Sequence, residues 1–203
     1  MTIAVTGPLA CGKSTLVRML GELGAETVSA DALVHDLLSG DEKTVRRVTE
    51  RFGDGVRGGE GIDRRALARV VFGDPEALED LEGILHPLVR EETDRRVAAS
   101  EAEVFVAEIP LLFEGERSGR FDLTVAVTAP EGRRKAWAAE RGMGEEQRRA
   151  IEARQLPQEE KARRADAVVE NDGDLDKLKG QARGLLERIR GGGSRRGDQD
   201  EEG

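Results

Sequence analysis

Short apolar runs alternate along this chain with longer segments in which apolar residues recur every three or four positions. The short runs predict buried strands, and the wider spacing predicts amphipathic helices. The predicted strands are residues 2–6, 25–28, 104–109, 123–127 and 167–169. Strands that alternate with helices are typical of a parallel sheet covered on both faces. We therefore predict a three-layer α/β fold with a five-stranded parallel sheet.

The helical pattern fills the segments between these runs. Residues 41–100 contain no convincing strand, and a glycine-rich turn at 53–61 separates their helices, so this stretch is predicted to be a helical insertion. Residues 131–165 are predicted to be helices broken near 142–144 and at Pro157. The other predicted helices are 13–23, a helix with Leu33, Val34, Leu37 and Leu38 on its apolar face, 41–52, 63–72, 74–99 and 174–189.

A length of 203 residues is enough for one well-buried core. We therefore predict a single domain over residues 1–190. Residues 191–203 contain five glycines and no large apolar side chain, so burial cannot offset the entropy lost on ordering. This segment is predicted to be a disordered tail.

A glycine-rich segment, GPLACGKST at residues 7–15, follows the first predicted strand and has the pattern G-x-x-x-x-G-K-[ST]. In such a phosphate-binding loop the backbone N–H groups, the lysine and the helix N-terminus bind phosphate, whereas a chance glycine-rich turn would lack the flanking strand and helix. We predict a bound nucleoside triphosphate with Mg²⁺, which Ser14 ligates directly. The expected nucleotide-binding residues are Gly7, Ala10, Cys11, Gly12, Lys13, Ser14 and Thr15.

A carboxylate, Asp31, follows the second predicted strand. Strand ends on the carboxyl edge of a parallel sheet converge on the ligand crevice, and phosphoryl transfer to an alcohol needs a carboxylate near the acceptor hydroxyl. Asp31 is therefore a candidate catalytic residue. The alternative is that Asp31 is only the N-cap of the helix that begins there.

A second carboxylate, Glu108, ends the third predicted strand. Phosphate-loop enzymes often carry an acidic residue at this position that binds the magnesium hydration shell. The alternative is an exposed strand end with no role in binding.

Net charge and the length of apolar runs argue against some classes of function. The net charge is −9, which argues against a general nucleic-acid-binding surface. The chain shows neither an apolar span of 18 residues nor a cleavable signal pattern, so we expect a cytoplasmic protein without a membrane partner. Residues 131–165 carry ten basic and seven acidic residues, so this segment is +3 and the remainder −12. It is either an anion clamp or a solvated helix pair.

Cys11 is the only cysteine, so it cannot form an internal disulfide. Its position before a helix N-terminus and near Lys13 favours a reactive thiolate that bound nucleotide would shield. The alternative is a small residue that fills a tight loop.

Several sequence blocks together resemble the dephospho-coenzyme A kinases, which are P-loop kinases of the nucleoside monophosphate kinase-like fold. The resemblance extends from Met1 to about Ile189 and is more specific than any one block. Its blocks are Lys13-Ser14-Thr15 in the loop, Asp31, Ile62-Asp63-Arg64 with Leu67 and Phe72, His86-Pro87-Leu88-Val89, Glu108-Ile109-Pro110-Leu111-Leu112-Phe113-Glu114, and Gln155-Leu156-Pro157 with Lys161, Ala165-Asp166 and Asn171.

The resemblance implies transfer of the γ-phosphoryl group of ATP to the ribose 3'-hydroxyl of dephospho-coenzyme A. Asp31 would orient and deprotonate that hydroxyl, while Lys13 would hold the β- and γ-phosphates. The insertion at about 41–100 would bind the acceptor, and residues of about 130–165 would be a lid over ATP. The alternatives are another small-molecule or nucleotide kinase of this fold and a non-catalytic ATP switch.

Two residues of the insertion are candidate acceptor ligands, Arg64 and His86. A guanidinium is suited to bidentate contact with phosphate, although Arg64 could instead pair with helix glutamates. His86 precedes Pro87, and the alternative for its side chain is a buried turn.

The chain departs from the family pattern at three places. Pro8, Ala10 and Cys11 replace residues that are commonly Gly, Gly and Ser, and Pro8 removes one backbone donor from the loop. Ser29 replaces a common acidic residue, which leaves Asp31 as the sole carboxylate at that strand end. The lid arginines are displaced by about one position, since Glu140 precedes Arg141. The candidates for phosphate contact are Arg134, Arg141, Arg149 and Arg154.

Overall fold

A computed structural model describes residues 1–71, 73–115 and 118–192 of this protein. Phe72 of the family resemblance and residues 193–203 of the predicted tail lie outside this range. The elements are β1 (Thr2–Thr6), α1 (Lys13–Glu22), β2 (Glu26–Ser29), α2 (Ala30–Gly40), α3 (Glu42–Phe52), β3 (Arg57–Gly58), β4 (Gly61–Ile62), α4 (Arg64–Val71), α5 (Pro75–Ala99), β5 (Phe105–Glu108), β6 (Leu123–Thr128), α6 (Glu131–Glu140), α7 (Glu145–Glu152), α8 (Gln158–Arg164), β7 (Ala167–Glu170) and α9 (Leu175–Gly192).

The main sheet of the described residues has five strands in the order β2-β5-β1-β6-β7. The central strand β1 is parallel to β5 on one side and to β6 on the other, with Ile3 opposite Val106 and Leu123. β6 pairs in parallel with β7. The predicted α/β fold with a five-stranded parallel sheet is thus confirmed.

Burial explains why β1 reads as a continuous apolar run. Ile3, Ala4 and Val5 have no solvent exposure, as expected for a strand covered on both faces. Ile3 and Val5 belong to one apolar cluster with Leu16 and Leu20, which are four residues apart on α1. Burying each large apolar side chain contributes about 1.5–3 kcal/mol. This cluster holds β1 and α1, and therefore fixes both ends of the loop between them.

The chain divides into two compact units. The first unit contains Met1–Thr27 and the chain from Glu101 onward, and the second contains Val28–Ser100. The second unit has its own apolar cluster, in which Val48 and Val56 are fully buried. Helix α2 thus belongs to the second unit. The arrangement as one domain with an insertion at about 41–100 and a lid at about 130–165 stays a prediction.

A short hairpin corrects the prediction that residues 41–100 contain no strand. β3 and β4 pair antiparallel, with Arg57 opposite Ile62 and Gly58 opposite Gly61. Strands of two residues are too short to give a periodic apolar pattern. A Cβ on Gly61 would lie 2.7 Å from the carbonyl oxygen of Leu38, so glycine allows this hairpin to pack closely against α2.

The C-terminal helix is longer than predicted. α9 extends through Gly192, so Gly191 and Gly192 are helical and do not belong to a tail. The predicted breaks in 131–165 are confirmed, since α6, α7 and α8 are separate helices and Pro157 is the N-cap of α8. Among the described residues, no helix combines the length and apolar character that a membrane span requires.

Candidate active site

The phosphate-binding loop joins β1 to α1 in the first unit. Gly12 is the N-cap of α1, has a φ angle of 95° and makes no side-chain capping bond. The first-turn N–H groups of a helix have no partner within the helix, and the helix dipole adds positive potential there. The start of α1 is therefore suited to bind phosphate oxygens.

Both glycines of the loop pattern are sterically required. A Cβ on Gly7 would lie 2.4 Å from the carbonyl oxygen of Val127, and one on Gly12 would lie 2.1 Å from Nδ2 of Asn171. Asn171 Nδ2 donates a hydrogen bond of 3.0 Å to the carbonyl oxygen of Cys11. Asn171 thus holds the loop from the segment that follows β7.

Lys13 is buried against its own loop. Its Nζ donates to the carbonyl oxygens of Gly7 at 3.2 Å and Pro8 at 2.9 Å. The carbonyl oxygen of Pro8 is therefore a hydrogen-bond acceptor in the loop. The missing N–H of this proline does not affect that contact. The next N–H, of Leu9, donates to Oε1 of Gln155 at 2.9 Å.

The structure contradicts the hypothesis of a reactive thiolate at Cys11 and agrees with the interpretation that this residue fills a tight loop. Its side chain is fully buried, and burial raises the pKa of the thiol, although Lys13 opposes this shift. A Cβ on Gly7 would lie 2.7 Å from Cys11 Sγ. Cys11 therefore fills a tight space in the loop, as the alternative interpretation had it.

Ser14 and Glu108 lie together beside the loop. Ser14 Oγ donates a hydrogen bond of 2.9 Å to Oε1 of Glu108, and Glu108 is buried. The alternative that Glu108 is an exposed strand end is therefore wrong. No group of three or more acidic, cysteine or histidine ligands occurs in the described part of the chain. A hydroxyl beside one carboxylate fits Mg²⁺, which takes one or two protein oxygens and completes its shell with water and phosphate.

A buried ion pair links the segment after β5 to α8. Lys161 is fully buried, and its Nζ contacts Oε1 of Glu114 at 2.8 Å and the carbonyl oxygen of Pro110 at 2.7 Å. The hydroxyl of Thr6, at the end of β1, donates to the same carbonyl at 3.2 Å. Glu114 also accepts a hydrogen bond from the N–H of Leu156. These bonds connect the segment after β5 with β1 as well as with α8.

A cavity of about 540 Å³ adjoins the phosphate-binding loop. Its wall includes Pro8 of the loop, Ala129 after β6, and polar side chains of the positive segment, among them Arg134, Glu152 and Gln155. Ligands of parallel α/β sheets bind beyond the carboxyl ends of the strands, where this cavity lies. It is therefore the candidate site for the rest of the nucleotide.

The four candidate lid arginines differ in position. Arg134 lines the cavity, is 13% exposed and donates from Nη1 to Oε1 of Glu152 at 2.9 Å. Arg149 is exposed on α7 and bonds Glu145 of the same helix. Arg141 and Arg154 follow α6 and α7 and are exposed. Only Arg134 of the four lines this cavity among the described residues.

Asp31 lies in the second unit, at the second position of α2, and is exposed. Ser29 occupies the N-cap position, so the alternative that Asp31 is only an N-cap is wrong. The carboxylate is held on a helix and has no hydrogen-bond or ion-pair partner among the described residues. This carboxylate is thus available to a ligand.

The alternatives for Arg64 and His86 are also wrong. Arg64 begins α4, is exposed and forms no ion pair with any residue that the structure describes. His86 lies within α5, before Pro87, and is exposed instead of buried in a turn. Neither side chain makes a hydrogen bond or an ion pair with another residue in the described part of the chain.

Comparison with known proteins identifies the family. A model of the dephospho-CoA kinase family matches residues 1–177. This chain belongs to that family. A dephospho-CoA kinase of Thermus thermophilus is 39% identical over 191 residues, which cover 94% of this chain and 92% of the relative.

Solved structures agree with membership of the dephospho-CoA kinase family. The crystal structure of TT1252 from Thermus thermophilus gives a TM-score of 0.77 at 38% identity and covers 93% of this chain and 97% of that one. The dephospho-CoA kinase from Campylobacter jejuni gives a TM-score of 0.65 at 25% identity and covers 93% of this chain and 96% of that one. The resemblance inferred from sequence blocks is thus confirmed.

In this dephospho-CoA kinase family member, sequence patterns did not reveal the role of Glu152, which lines the cavity, or of Arg148, which pairs with Glu152. Arg148 is buried, and Glu152 bonds both Arg148 and Arg134. The signal was present, because Arg148 and Glu152 are four residues apart on a predicted helix, a spacing that favours an ion pair. The sequence did not indicate that this pair would be buried.

Proposed function

We propose that this protein transfers the γ-phosphoryl group of ATP to the ribose 3'-hydroxyl of dephospho-coenzyme A, giving coenzyme A and ADP in the last step of coenzyme A biosynthesis. The observation that carries this proposal is the family match over residues 1–177. The loop geometry supports it, since Gly12, Lys13 and Ser14 stand at the strand-to-helix junction that phosphate binding requires.

Lys13 holds the β- and γ-phosphates in this proposal. Its Nζ exchanges the two loop carbonyls for phosphate oxygens, which offer full negative charge to the same donor. The loop N–H groups from Ala10 to Thr15 and the N-terminus of α1 complete the binding of the phosphates.

Ser14, by its hydroxyl, and Glu108, through the hydration shell, would hold the magnesium ion. When bound, Mg²⁺ would neutralise the negative charge that develops on the phosphates during transfer. Ser14 Oγ would then turn its lone pairs to the metal, and the buried carboxylate of Glu108 keeps it oriented.

Asp31 orients the acceptor hydroxyl and accepts its proton in this mechanism. The exposed and unpaired carboxylate on α2 supports this role. Arg64 and His86 contact the acceptor, and the exposure of both side chains supports their assignment. We also propose the cytoplasm as the location, with neither nucleic acid nor membrane as a partner.

An acceptor comparison tests the proposed reaction. Purified protein is given ATP, Mg²⁺ and either dephospho-coenzyme A or a nucleoside monophosphate, and ADP release is followed. We expect turnover with dephospho-coenzyme A and much slower turnover with every monophosphate. Equal or faster rates on a monophosphate would indicate a nucleotide kinase, and slow hydrolysis with no acceptor would indicate an ATP switch.

Asp31→Asn tests the catalytic carboxylate. The amide cannot accept the proton, so kcat should fall by about 10²- to 10⁴-fold while the Kd for ATP changes little. Asp36→Asn is the matched control, since Asp36 is an exposed carboxylate on the same helix. Unchanged turnover in Asp31→Asn would remove this residue from the mechanism.

A further inference from the structure

Side chains hold the backbone where the chain leaves β5. The N–H of Ile109, just after the strand, still donates to the carbonyl oxygen of Val5 at 2.9 Å. Pro110 comes next, and proline has no N–H with which to continue the ladder. Its carbonyl oxygen accepts from the hydroxyl of Thr6 at 3.2 Å and from Nζ of Lys161 at 2.7 Å. Two donors, one from β1 and one from α8, therefore fix this carbonyl.

This carbonyl lies close in the chain to both residues of the proposed magnesium site. Glu108, the last residue of β5, is two residues before Pro110 and accepts a hydrogen bond of 2.9 Å from Ser14 Oγ. Ser14 lies on α1, which follows β1 and the phosphate-binding loop. The contact between Ser14 and Glu108 thus needs the ends of β1 and β5 to keep their relative position. The bonds to the Pro110 carbonyl join the chain at these same two ends.

A contribution to stability alone explains Lys161 poorly. Its ammonium group is fully buried with Glu114 as its counter-ion, and apolar residues of similar volume are often as stable as a buried ion pair or more stable. Oε2 of Glu114 is buried and has no hydrogen-bond partner within the described residues, so the pair is not optimised for stability. An apolar side chain could fill the space of Lys161, but it could not donate a hydrogen bond to Pro110.

We propose that Lys161 is a positioning residue for the magnesium site. Its ammonium group holds the Pro110 carbonyl, keeps the end of β5 in place and thereby keeps the carboxylate of Glu108 beside Ser14. Glu114 is the counter-ion that directs Lys161 toward this carbonyl. The inference rests on the proposed function for the binding of Mg²⁺ with ATP, and it does not depend on the identity of the acceptor.

The effect of Mg²⁺ on ATP affinity tests this role without any acceptor. Calorimetric titration gives the Kd for ATP in EDTA and in Mg²⁺, and the ratio of the first value to the second measures how much the metal contributes. Lys161→Met combined with Glu114→Gln should lower this ratio at least about threefold, since groups that orient metal-binding side chains strongly affect metal affinity. The Kd in EDTA should change little, because Lys13 and the loop N–H groups remain.

The double variant is chosen so that the protein can fold. It removes both charges, so no buried carboxylate is left without a counter-ion. The amide oxygen of the new glutamine can still accept the hydrogen bond from the N–H of Leu156. Lys179→Met is the matched control, because Lys179 is an exposed lysine on α9 in the same unit. This control should keep the ratio of the unmodified protein.

Two results would overturn the inference. One is an unchanged ratio in the double variant, including the case in which both Kd values rise together, as a purely structural role would give. The other is an unmodified protein whose ATP affinity does not respond to Mg²⁺. If the protein responds to Mg²⁺ as expected but phosphorylates a different acceptor, the proposed function fails while this inference stands.

Discussion

At the residue scale, Ala10 carries backbone strain that glycine would avoid. Its φ angle is +57°, and it is the one non-glycine residue with positive φ in the described chain. A left-handed conformation costs a residue with a Cβ about 1–2 kcal/mol. The loop tolerates this cost because the surrounding residues hold it in place.

Replacement of Ala10 by glycine should be nearly neutral for folding. Relief of the strain offsets the lost methyl burial and the greater entropy of the unfolded chain, so the free energy of unfolding should change by less than about 1 kcal/mol. Ala126→Gly, at a fully buried position of β6, has no strain to relieve and should cost more. Urea titration of both variants measures the difference, and an equal loss would contradict the strain argument.

The thiol of Cys11 should resist labelling in the folded protein. Burial hides Sγ and raises its pKa, so both access and thiolate content are low. Reaction with a thiol-specific reagent should be slow with or without ATP and Mg²⁺, and should become fast in urea. Fast labelling of the native protein that ATP prevents would restore the reactive-thiolate hypothesis.

The sequence predicted the loop residues well but not their environments. The positions of Gly12, Lys13 and Ser14 follow from the motif, since phosphate binding constrains their spacing. The burial of Cys11 and the close packing of the loop glycines depend on Val127 and Asn171, which are distant in sequence. No local pattern contains that information.

At the element scale, the ion pair between Lys161 and Glu114 fastens α8 to the segment after β5. Lys161→Met should lower the free energy of unfolding by about 3 kcal/mol, since it leaves a largely buried carboxylate without its counter-ion. Lys161→Met combined with Glu114→Gln removes both charges and should recover part of the loss. Denaturant titration measures both values, and a double variant less stable than Lys161→Met would contradict this explanation.

The sequence predicted long elements better than short ones. α5 follows its predicted bounds because Asp74 as N-cap and Pro75 as first helical residue are a clear signal for a helix start. Pro87 lies inside this helix and does not end it. The hairpin of β3 and β4 depends on the close approach of Gly61 to α2, which is a tertiary contact. The glycines at the end of α9 signal a helix stop, yet the helix continues through Gly192.

At the scale of the whole molecule, acid should destabilise the fold through three glutamates that each accept hydrogen bonds from two arginines. These bonds lower the pKa values of Glu92, Glu145 and Glu160 from 4.5 to about 2. The folded pKa lies below the unfolded one, so the contribution to stability is present above pH 4.5 and is lost as the pH falls toward 2.

Urea midpoints measured from about pH 7 to about pH 2 test this dependence. Above about pH 5 these three glutamates should have little effect on the urea midpoint. As the pH falls from about 4.5 to about 2, the midpoint should decrease. Glu92→Gln should make that decline shallower, whereas Glu91→Gln, at an exposed neighbouring position, should not. An unchanged decline in Glu92→Gln would show that other groups control acid unfolding.

The central position of β1 has a consequence for synthesis on the ribosome. β1 emerges about 100 residues before its partners β5 and β6, an interval on the order of 5–20 s at typical elongation rates. Val28–Ser100 is contiguous and is complete before either partner appears. We therefore expect the nascent chain to assemble its second unit first, while the apolar residues Ile3 to Val5 remain unburied until the sheet can form around them.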